Sequence, residues 1–277
     1  MLRFPNCKIN IGLNILAKRP DGYHDIETLF YPVAIKDALE IVIANNSSTD
    51  VTFTASGLPI SGETDSNLCI KAYQLLKKDF PALPAVKIHL HKIIPMGAGL
   101  GGGSADAACT LQLLNETFKL NLSLTQLLQY ALLLGSDCPF FINNKPAVGT
   151  GRGEVLEPCF TDLSNYKIIL VYPAIHVNTK ETFEALKLDN FHKNRPSIKQ
   201  LISQPVKDWK SLLKNDFEIP VFAKYPEIKN IKDLFYQYGA VYAAMSGSGS
   251  TVYGLFNKNE IPAIKWNPLY YAAEHSL

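Results

Sequence analysis

The sequence predicts an α+β fold made of two domains, residues 1–155 and 156–277, and three observations lead to this prediction. Segments with alternating apolar residues, which are typical of strands, are interspersed with amphipathic helical segments along the chain. A glycine-rich loop connects a predicted strand at 86–94 to a predicted helix. Near Pro158 the pattern starts again with a new apolar strand at 166–172, which places the domain boundary shortly before it.

The first predicted strand carries its apolar side chains on one face. These apolar positions are Ile9, Ile11, Leu13 and Ile15. Lys8 and Asn10 lie on the opposite face, because side chains alternate along a strand. The polar face of such a strand is most often solvated. The pattern alone therefore leaves open whether Lys8 and Asn10 face water or a binding site.

The other elements follow from periodicity and from capping residues. Strands are predicted at 25–33, 39–44, 51–55 and 252–256, and helices at 68–78, 105–114, 179–186 and 225–238. Ser123 and Gln126 form the capping-box pattern of one more helix, which Gly135 ends. The apolar residues that follow Asp137, beginning at Cys138, are predicted to form a strand. The polar segment 188–209 is predicted to be a surface connection with some helix.

The segment Pro95–Asp106 is dense in glycine and lies between a predicted strand and a predicted helix. Glycine leaves the backbone accessible and adopts positive φ angles, so the N–H groups of such a loop can converge on an anion. The helix that follows, with Ser104 as its expected N-cap, directs the positive end of its dipole to the same place. We therefore predict a phosphate-binding loop. A mobile glycine linker is the alternative, and the ordered elements on either side argue against it.

Composition limits the classes of function. The chain has 277 residues, of which 47% are hydrophobic, and a net charge of +2. It can bury a full core, and it lacks the concentrated positive charge that nucleic-acid binding requires. Five cysteines without CxxC spacing indicate reduced thiols. Because the sequence shows neither a signal peptide nor an apolar run that could span a bilayer, we expect a cytoplasmic protein without a membrane partner.

Three further features are ambiguous when each is taken alone. Tyr23 and His24 follow a Pro-Asp-Gly turn, and such a pair usually serves packing. Asp137 follows a helix end, where an acid is often only a turn residue. The segment Ser246–Ser250 is either a second phosphate loop or a flexible turn.

Known phosphate-binding motifs distinguish the possible chemistries. A P-loop requires Gly-Lys-Ser/Thr at its end, whereas Gly103 is followed by Ser104 with no lysine. The signature motifs of protein kinases are absent from the sequence. Gly97, Gly99 and Gly102 match the dinucleotide-binding pattern by letter. The βαβ context of that pattern and its acidic residue about 20 positions further on are missing, so this match is weak.

The arrangement of motifs resembles the GHMP kinase superfamily. Three segments carry the resemblance: 7–24, which ends in Asp-Gly-Tyr-His, 95–105, the glycine loop, and 245–251. The segment Leu134–Asp137 is also similar to the segment of the family that holds its catalytic acid. The motifs occur in the order of the family and extend over nearly the whole chain. Cys7 stands where the family usually has alanine, and Ser246 where it more often has threonine; both residues are small.

The resemblance implies a GHMP kinase fold, with two α/β subdomains and the active site in the cleft between them. It also implies a kinase that uses ATP and Mg²⁺, with Mg²⁺ bridging the phosphates and no protein metal cluster. The Asp-Gly-Tyr-His element is most similar to the branch that phosphorylates the 2-hydroxyl of diphosphocytidyl methylerythritol in the non-mevalonate isoprenoid pathway. We expect a monomer or a weak homodimer.

The resemblance also implies roles for individual residues. Lys8 and Asp137 are the expected catalytic pair. The residues expected to hold the ATP phosphates are Pro95, Met96, Gly97, Ala98, Gly99, Leu100, Gly101, Gly102, Gly103, Ser104 and Ala105. The residues expected to bind the acceptor are Asn10, Tyr23, His24, Thr179 and Phe183, with Tyr23 stacking on the cytosine and His24 binding its polar edge.

Other functions remain as alternatives at this point. The first is another GHMP small-molecule kinase, of the mevalonate or homoserine type, against which the Asp-Gly-Tyr-His element argues. A dinucleotide-dependent oxidoreductase is disfavoured by the missing βαβ context. A nucleotide-binding module without catalysis is disfavoured by the presence of both Lys8 and Asp137.

Overall fold

The computed structural model describes residues 1–44, 49–186, 195–260 and 262–277. The predicted surface connection at 188–209 falls partly outside these residues. The chain forms two compact units that are discontinuous in sequence. Unit 1 contains Met1–Cys7, Ile35–Met96 and Gly101–Lys145, and unit 2 contains Lys8–Ala34, Gly97–Leu100 and Pro146–Leu277. The predicted domains 1–155 and 156–277 are continuous, so the two divisions assign the first long strand differently.

Unit 1 is built around a mixed four-stranded sheet. Its strands are β1 (Leu2–Arg3), β4 (Ala38–Ile43), β6 (Val86–Lys92) and β5 (Val51–Gly57), in that order across the sheet. Strand β6 pairs antiparallel with β4 and parallel with β5. Along β6 buried and exposed side chains alternate strictly, which confirms the period of two seen in the sequence.

Four helices of unit 1 pack together and against this sheet. They are α1 (Leu68–Asp79), α2 (Gly102–Thr117), α3 (Leu124–Leu134) and α4 (Cys138–Asn143). Helix α2 is the central one, because α1, α3, α4 and strand β4 all contact it. Helix α3 begins with the predicted capping box, in which the Ser123 and Gln126 side chains each accept from the backbone N–H of the other residue. Gly135 follows its last residue, with an extended backbone.

Unit 2 contains most of one sheet and the whole of another. The first has the order β2 (Asn6–Lys18), β3 (His24–Lys36), β7 (Ala147–Thr150) and β8 (Val155–Pro158), and its residues 8–34 and 147–158 belong to unit 2. The second has the order β10 (Tyr242–Met245), β11 (Val252–Asn257), β9 (Tyr166–Tyr172) and β12 (Tyr271–Ser276), and its strand pairs are antiparallel.

The described helices of unit 2 are short except for the last. They are α5 (Thr179–Glu184), α6 (Ile198–Leu201), α7 (Trp209–Leu212), α8 (Glu218–Lys224) and α9 (Pro226–Gln237). Helix α9 packs on β10 and β11. Its buried residues Ile228, Ile231 and Phe235 join a core that also contains Val252 and Phe256 of β11.

Two predictions about local structure are wrong. The apolar residues after Asp137 form helix α4 and not a strand. A short apolar run does not reveal its periodicity, and Pro139 in the first turn suits a helix start. Ser104 is not the N-cap of α2, which begins two residues earlier behind Gly101. Gly101 has a φ of 68°, so the backbone turns into the helix without a capping side chain.

Strand β2 is buried on both faces. Ile9, Ile11 and Ile15 are 0% exposed, as the alternation predicts. Lys8 and Asn10, on the other face, are only 3% and 2% exposed. The polar face is therefore not solvated, and a buried ammonium on such a face needs specific partners.

Candidate functional site

The glycine loop adopts backbone conformations that only glycine accepts easily. Gly97, Gly99 and Gly101 have φ angles of 64°, 81° and 68°. The backbone N–H groups of Gly102, Gly103 and Ser104 stand in the first turn of α2, where no earlier helical carbonyl can accept from them. Helix α2 has sixteen residues, and a glycine loop precedes it. The start of such a helix can bind an anion through its free N–H groups and through the positive end of the helix dipole.

The part of the loop from Gly97 to Leu100 is anchored within unit 2. The Ser246 hydroxyl and the Lys8 ammonium both donate to the Gly99 carbonyl, at 2.9 and 3.1 Å. The backbone N–H groups of Lys8 and Thr251 donate to the carbonyls of Leu100 and Ala98, at 3.0 and 3.1 Å. The Gly/Ser segment that begins at Ser246 therefore supports the glycine loop through hydrogen bonds. It is not the flexible turn that the sequence left open as an alternative.

Lys8 and Asn10 form a connected polar group in unit 2. The Lys8 Nζ donates to the Asn10 Oδ1 at 2.7 Å. The Asn10 Nδ2 donates to the Thr28 Oγ1 at 3.1 Å, and the Thr28 hydroxyl donates to the Gly12 carbonyl. The ammonium also lies 5.3 Å from the centroid of the Phe30 ring. These contacts hold the Lys8 ammonium in a fixed position inside the protein, and its role in catalysis stays a prediction.

Asp137 lies in unit 1, in the turn between α3 and α4. It occupies the N-cap position of α4 and is half-buried. The next residue, Cys138, is buried, and its thiol hydrogen-bonds to the Ser104 hydroxyl. Burial raises the pKa of this thiol to about 12, so Cys138 stays protonated at neutral pH. The bond from Ser104 to Cys138 brings the turn that carries Asp137 next to the first turn of α2.

The residues predicted to bind a base lie together in unit 2. The His24 ring stacks on the Phe183 ring, with a centroid distance of 4.3 Å and an angle of 9°. His24 is 9% exposed and Tyr23 is 53% exposed. Thr179 hydrogen-bonds to Ser248 through the two hydroxyls, at 2.7 Å. The His24 ring covers one face of Phe183, and the predicted role of Phe183 in acceptor binding stays a prediction.

The electrostatic environment of His24 favours the neutral ring. Burial lowers its pKa, and the nearby Lys18 lowers it further. A neutral imidazole has one donor and one acceptor nitrogen. Such a ring can bind the polar edge of a pyrimidine, which presents donors and acceptors side by side.

A cavity in unit 1 opens beside the glycine loop, and sequence reasoning missed it. It has a volume of about 380 Å³, and Met96 and Gly103 form part of its wall. The remainder of the wall comes mainly from the connection between β5 and α1, including Leu58, Ile60, Ser61, Asn67 and Leu68. This connection contains no recognisable motif; its one local signal is Asn67, whose side chain caps α1 by accepting from the Cys69 N–H.

A buried ionic cluster lies behind the glycine loop in unit 1. The Lys92 ammonium donates to Asp37 and to the Oδ2 of Asp106, the latter at 2.9 Å. Asp37 also accepts from the backbone N–H of Ile94, at 2.9 Å. The Oδ1 of Asp106 has no hydrogen-bond partner among the described residues. Burial by itself would lower the pKa of Lys92, and the two carboxylates outweigh it and raise that pKa.

Asp106 is expected to make the stability of the protein depend on pH. Burial raises its pKa above the ordinary value of 3.8, and the attraction of Lys92 only partly offsets this. The folded state therefore holds a proton on Asp106 at pH values where the unfolded chain has lost it, and stability falls as pH rises through this range.

We expect the Asp106→Asn variant, which keeps the shape but cannot ionise, to lose this dependence. Between pH 5 and pH 8, its free energy of unfolding should rise relative to that of the unmodified protein by on the order of 1 kcal/mol or more. Urea unfolding of both proteins at several pH values measures the difference. Parallel pH profiles for the two proteins would show that Asp106 does not carry the effect.

No described helix is both long and apolar enough to cross a membrane. Within the same residues, no group of three or more His, Cys, Asp or Glu side chains is arranged to hold a metal ion.

The chain matches two family models. The GHMP kinases N terminal domain matches residues 67–145, and the GHMP kinases C terminal domain matches residues 197–265. The first match contains the glycine loop and Asp137, and the second contains the segment that begins at Ser246.

Named relatives resemble the chain over most of its length. A protein of Bacteroides fragilis named 4-diphosphocytidyl-2-C-methyl-D-erythritol kinase is 52% identical over 260 residues, which cover 94% of this chain and 93% of the relative. A crystal structure of 4-(cytidine 5'-diphospho)-2C-methyl-D-erythritol kinase has a TM-score of 0.79 and 30% identity, and covers 92% of this chain and 90% of its own.

A crystal structure of mevalonate kinase has a TM-score of 0.72 at 14% identity, with coverage of 94% and 92%, and shares the fold. The identity to the relative from Bacteroides fragilis is much higher, at 52% over 94% of this chain. The chain belongs to the GHMP kinases and, within them, to the family of the 4-diphosphocytidyl-2-C-methyl-D-erythritol kinases.

Proposed function

We propose that this protein transfers the γ-phosphoryl group of ATP to the 2-hydroxyl of 4-diphosphocytidyl-2-C-methyl-D-erythritol, a step of the non-mevalonate isoprenoid pathway. The names of its relatives support this acceptor. The observation that carries the choice among GHMP substrates is the aromatic group of unit 2. The acceptors mevalonate and homoserine contain no base, whereas exposed Tyr23 and the stacked His24 provide a ring face and a polar edge suited to cytosine.

The ATP phosphates are proposed to bind at the glycine loop and the first turn of α2. The free N–H groups of this turn and the helix dipole favour the negative charge of the phosphates. The cavity beside Met96 and Gly103 is the proposed site of the adenine ring. Its volume of about 380 Å³ and its mixed apolar and polar wall are those of a small-molecule pocket.

Phosphoryl transfer requires mainly positioning and stabilisation of charge. We propose that Asp137 accepts or orients the proton of the acceptor hydroxyl as that oxygen attacks phosphorus. Lys8 is proposed to offset the negative charge on the reacting oxygen and the γ-phosphate. Asn10 holds the Lys8 ammonium through a 2.7 Å hydrogen bond, which limits the reorganisation needed during the reaction.

The donor atoms of unit 1 fit a magnesium ion. Mg²⁺ prefers oxygen ligands and usually keeps few protein ligands when it binds a nucleotide. The hydroxyl of half-buried Ser104, in the first turn of α2, is an oxygen donor of this kind. Mg²⁺ would supply charge neutralisation on the phosphate oxygens.

The thiols support a cytoplasmic location. Burial raises the pKa values of Cys109 and Cys138 to about 12, so both are protonated at neutral pH. Structural thiols of this kind persist in a reducing compartment. We therefore propose that the reaction takes place in the cytoplasm.

Acceptor-dependent release of ADP tests the proposed function. With ATP and Mg²⁺, we expect turnover with 4-diphosphocytidyl-2-C-methyl-D-erythritol and none above background with mevalonate or homoserine. The reason is that the latter two lack the cytidine on which the proposed binding depends. A coupled assay measures ADP, and phosphorus NMR identifies the product. Turnover of mevalonate or homoserine, with none of the diphosphocytidyl compound, would refute the proposal.

A further inference from the structure

Arg152 lies in unit 2, in the turn between β7 and β8, and its guanidinium covers one face of the Tyr23 ring. The central guanidinium carbon is 4.7 Å from the ring centroid. The turn is fixed to the beginning of β3, because the Ile26 N–H donates to the Gly151 carbonyl at 2.7 Å. The sequence gives no indication of this contact, since about 130 residues separate the two side chains (Tyr23 and Arg152).

The Arg152 side chain is itself held in place. Its Nε donates to one carboxylate oxygen of Glu154 at 3.4 Å, and its backbone N–H donates to the other at 2.6 Å. The side chains of Arg152 and Glu154 are 28% and 17% exposed. The two terminal nitrogens of Arg152 make no hydrogen bond to the described residues. The Nε hydrogen bond therefore positions the guanidinium, whose planar face lies over the Tyr23 ring.

Tyr23 needs such a support. It is 53% exposed, and its hydroxyl has no hydrogen-bond partner in the described part of the chain. An exposed ring without an anchored hydroxyl samples several rotamers, and a ligand that stacks on it must fix one of them at an entropic cost. A planar cation over one face reduces this freedom and leaves the opposite face open.

We propose that Arg152 is a positioning residue for the acceptor base: it holds the Tyr23 ring so that the opposite face can receive the cytosine. This inference rests on the proposed function, which supplies the cytidine ligand. Arg152 acts through Tyr23 and does not contact the acceptor. It should affect the binding of cytidine compounds and leave ATP binding and the chemical step alone.

A double-mutant cycle of Arg152→Gln and Tyr23→Leu tests this proposal. The readouts are the KM for the acceptor, kcat, and the Kd for CDP measured by calorimetry without ATP. Arg152→Gln should raise the KM and the Kd about threefold to tenfold, with kcat and the KM for ATP within about twofold. Tyr23→Leu should raise both about tenfold or more. In the Tyr23→Leu background, Arg152→Gln should have no further effect, because its target is gone.

Matched variants separate stacking from charge. Lys229→Gln removes the same charge from the exposed face of α9 and should leave the KM for the acceptor within about twofold. Arg152→Lys keeps the charge without the planar face and should give an intermediate loss. Wild-type values for Arg152→Gln overturn the proposal. A loss that persists undiminished in the Tyr23→Leu background also overturns it, since Arg152 would then bind the acceptor directly.

The same data separate this inference from the proposed function. If the unmodified protein binds CDP but does not turn over the diphosphocytidyl acceptor, the proposed function fails, and the cycle on the Kd for CDP still decides the role of Arg152. If turnover is present and the two substitutions are additive, the inference alone fails. If the protein neither binds CDP nor turns over the acceptor, both are wrong.

Discussion

Replacing Asp137 with asparagine is expected to lower kcat about 10²- to 10⁴-fold while ATP still binds. The amide has the shape of the carboxylate but cannot accept the proton of the acceptor hydroxyl. The Kd for ATP should change by no more than about twofold, because the proposed phosphate site is built from backbone N–H groups of the glycine loop and α2. Steady-state ADP release gives kcat, and calorimetry gives the Kd for ATP.

A control variant shows whether the loss is local to Asp137. Asp79→Asn makes the same chemical change at the end of α1, where the carboxylate accepts from the Tyr130 hydroxyl at 2.7 Å. This variant should keep kcat within about twofold. The melting temperatures of both variants are measured as well, so that a loss of kcat is not confused with a loss of folded protein. An unchanged kcat for Asp137→Asn would remove this residue from the mechanism.

Local sequence signals were sufficient for most elements of the fold. The capping box at Ser123 and Gln126 predicted the start of α3 because both of its hydrogen bonds lie within one helical turn. The alternation of apolar and polar residues predicted β6, because one face of this strand is buried and the other is exposed. The glycine loop was identified for a similar reason: positive φ angles and a helix start are properties of the local chain.

Interactions between distant segments account for what the sequence could not predict. The polar face of β2 is buried because Gly99 and Ser246, far along the chain, pack on it, and their oxygens accept hydrogen bonds from the Lys8 ammonium and the Asn10 backbone N–H. No local sequence pattern predicts which distant segment will pack on a strand. The contact of Arg152 with Tyr23 and the cavity beside Met96 arise in the same way.

Ambiguity of short apolar segments explains the errors in local structure. Helix α4 contains only six residues, fewer than two turns, so helical and strand periodicity cannot be told apart. Helix α8, Glu218–Lys224, was missed for the same reason. The N-cap of α2 was misplaced because three consecutive glycines precede Ser104, and any of them can begin a helix without a side-chain cap.

Gly99→Ala is expected to cause the largest loss of stability among the single substitutions considered. The φ of Gly99 is 81°, and an added Cβ would lie 2.1 Å from the carbonyl oxygen of Ser246. Both groups belong to the backbone, so no side-chain rotation relieves the overlap. Moving the loop breaks the bonds from Lys8 and Ser246 to the Gly99 carbonyl. We expect a loss of about 3–5 kcal/mol in the free energy of unfolding and about tenfold or more weaker ATP binding.

Two other glycines separate the causes of this loss. Gly239 has a φ of 88° with no atom within 4 Å of an added Cβ, so Gly239→Ala measures backbone strain alone, about 1–2 kcal/mol. Gly103 lies in α2, and its added Cβ would meet Met96 at an ordinary 3.5 Å. Gly103→Ala should therefore raise the free energy of unfolding by about 0.5–1 kcal/mol. Urea unfolding of the three variants gives the comparison. If Gly99→Ala costs no more than Gly239→Ala, the contact between Gly99 and Ser246 yields easily, and the segment that begins at Ser246 is not a rigid support for the phosphate loop.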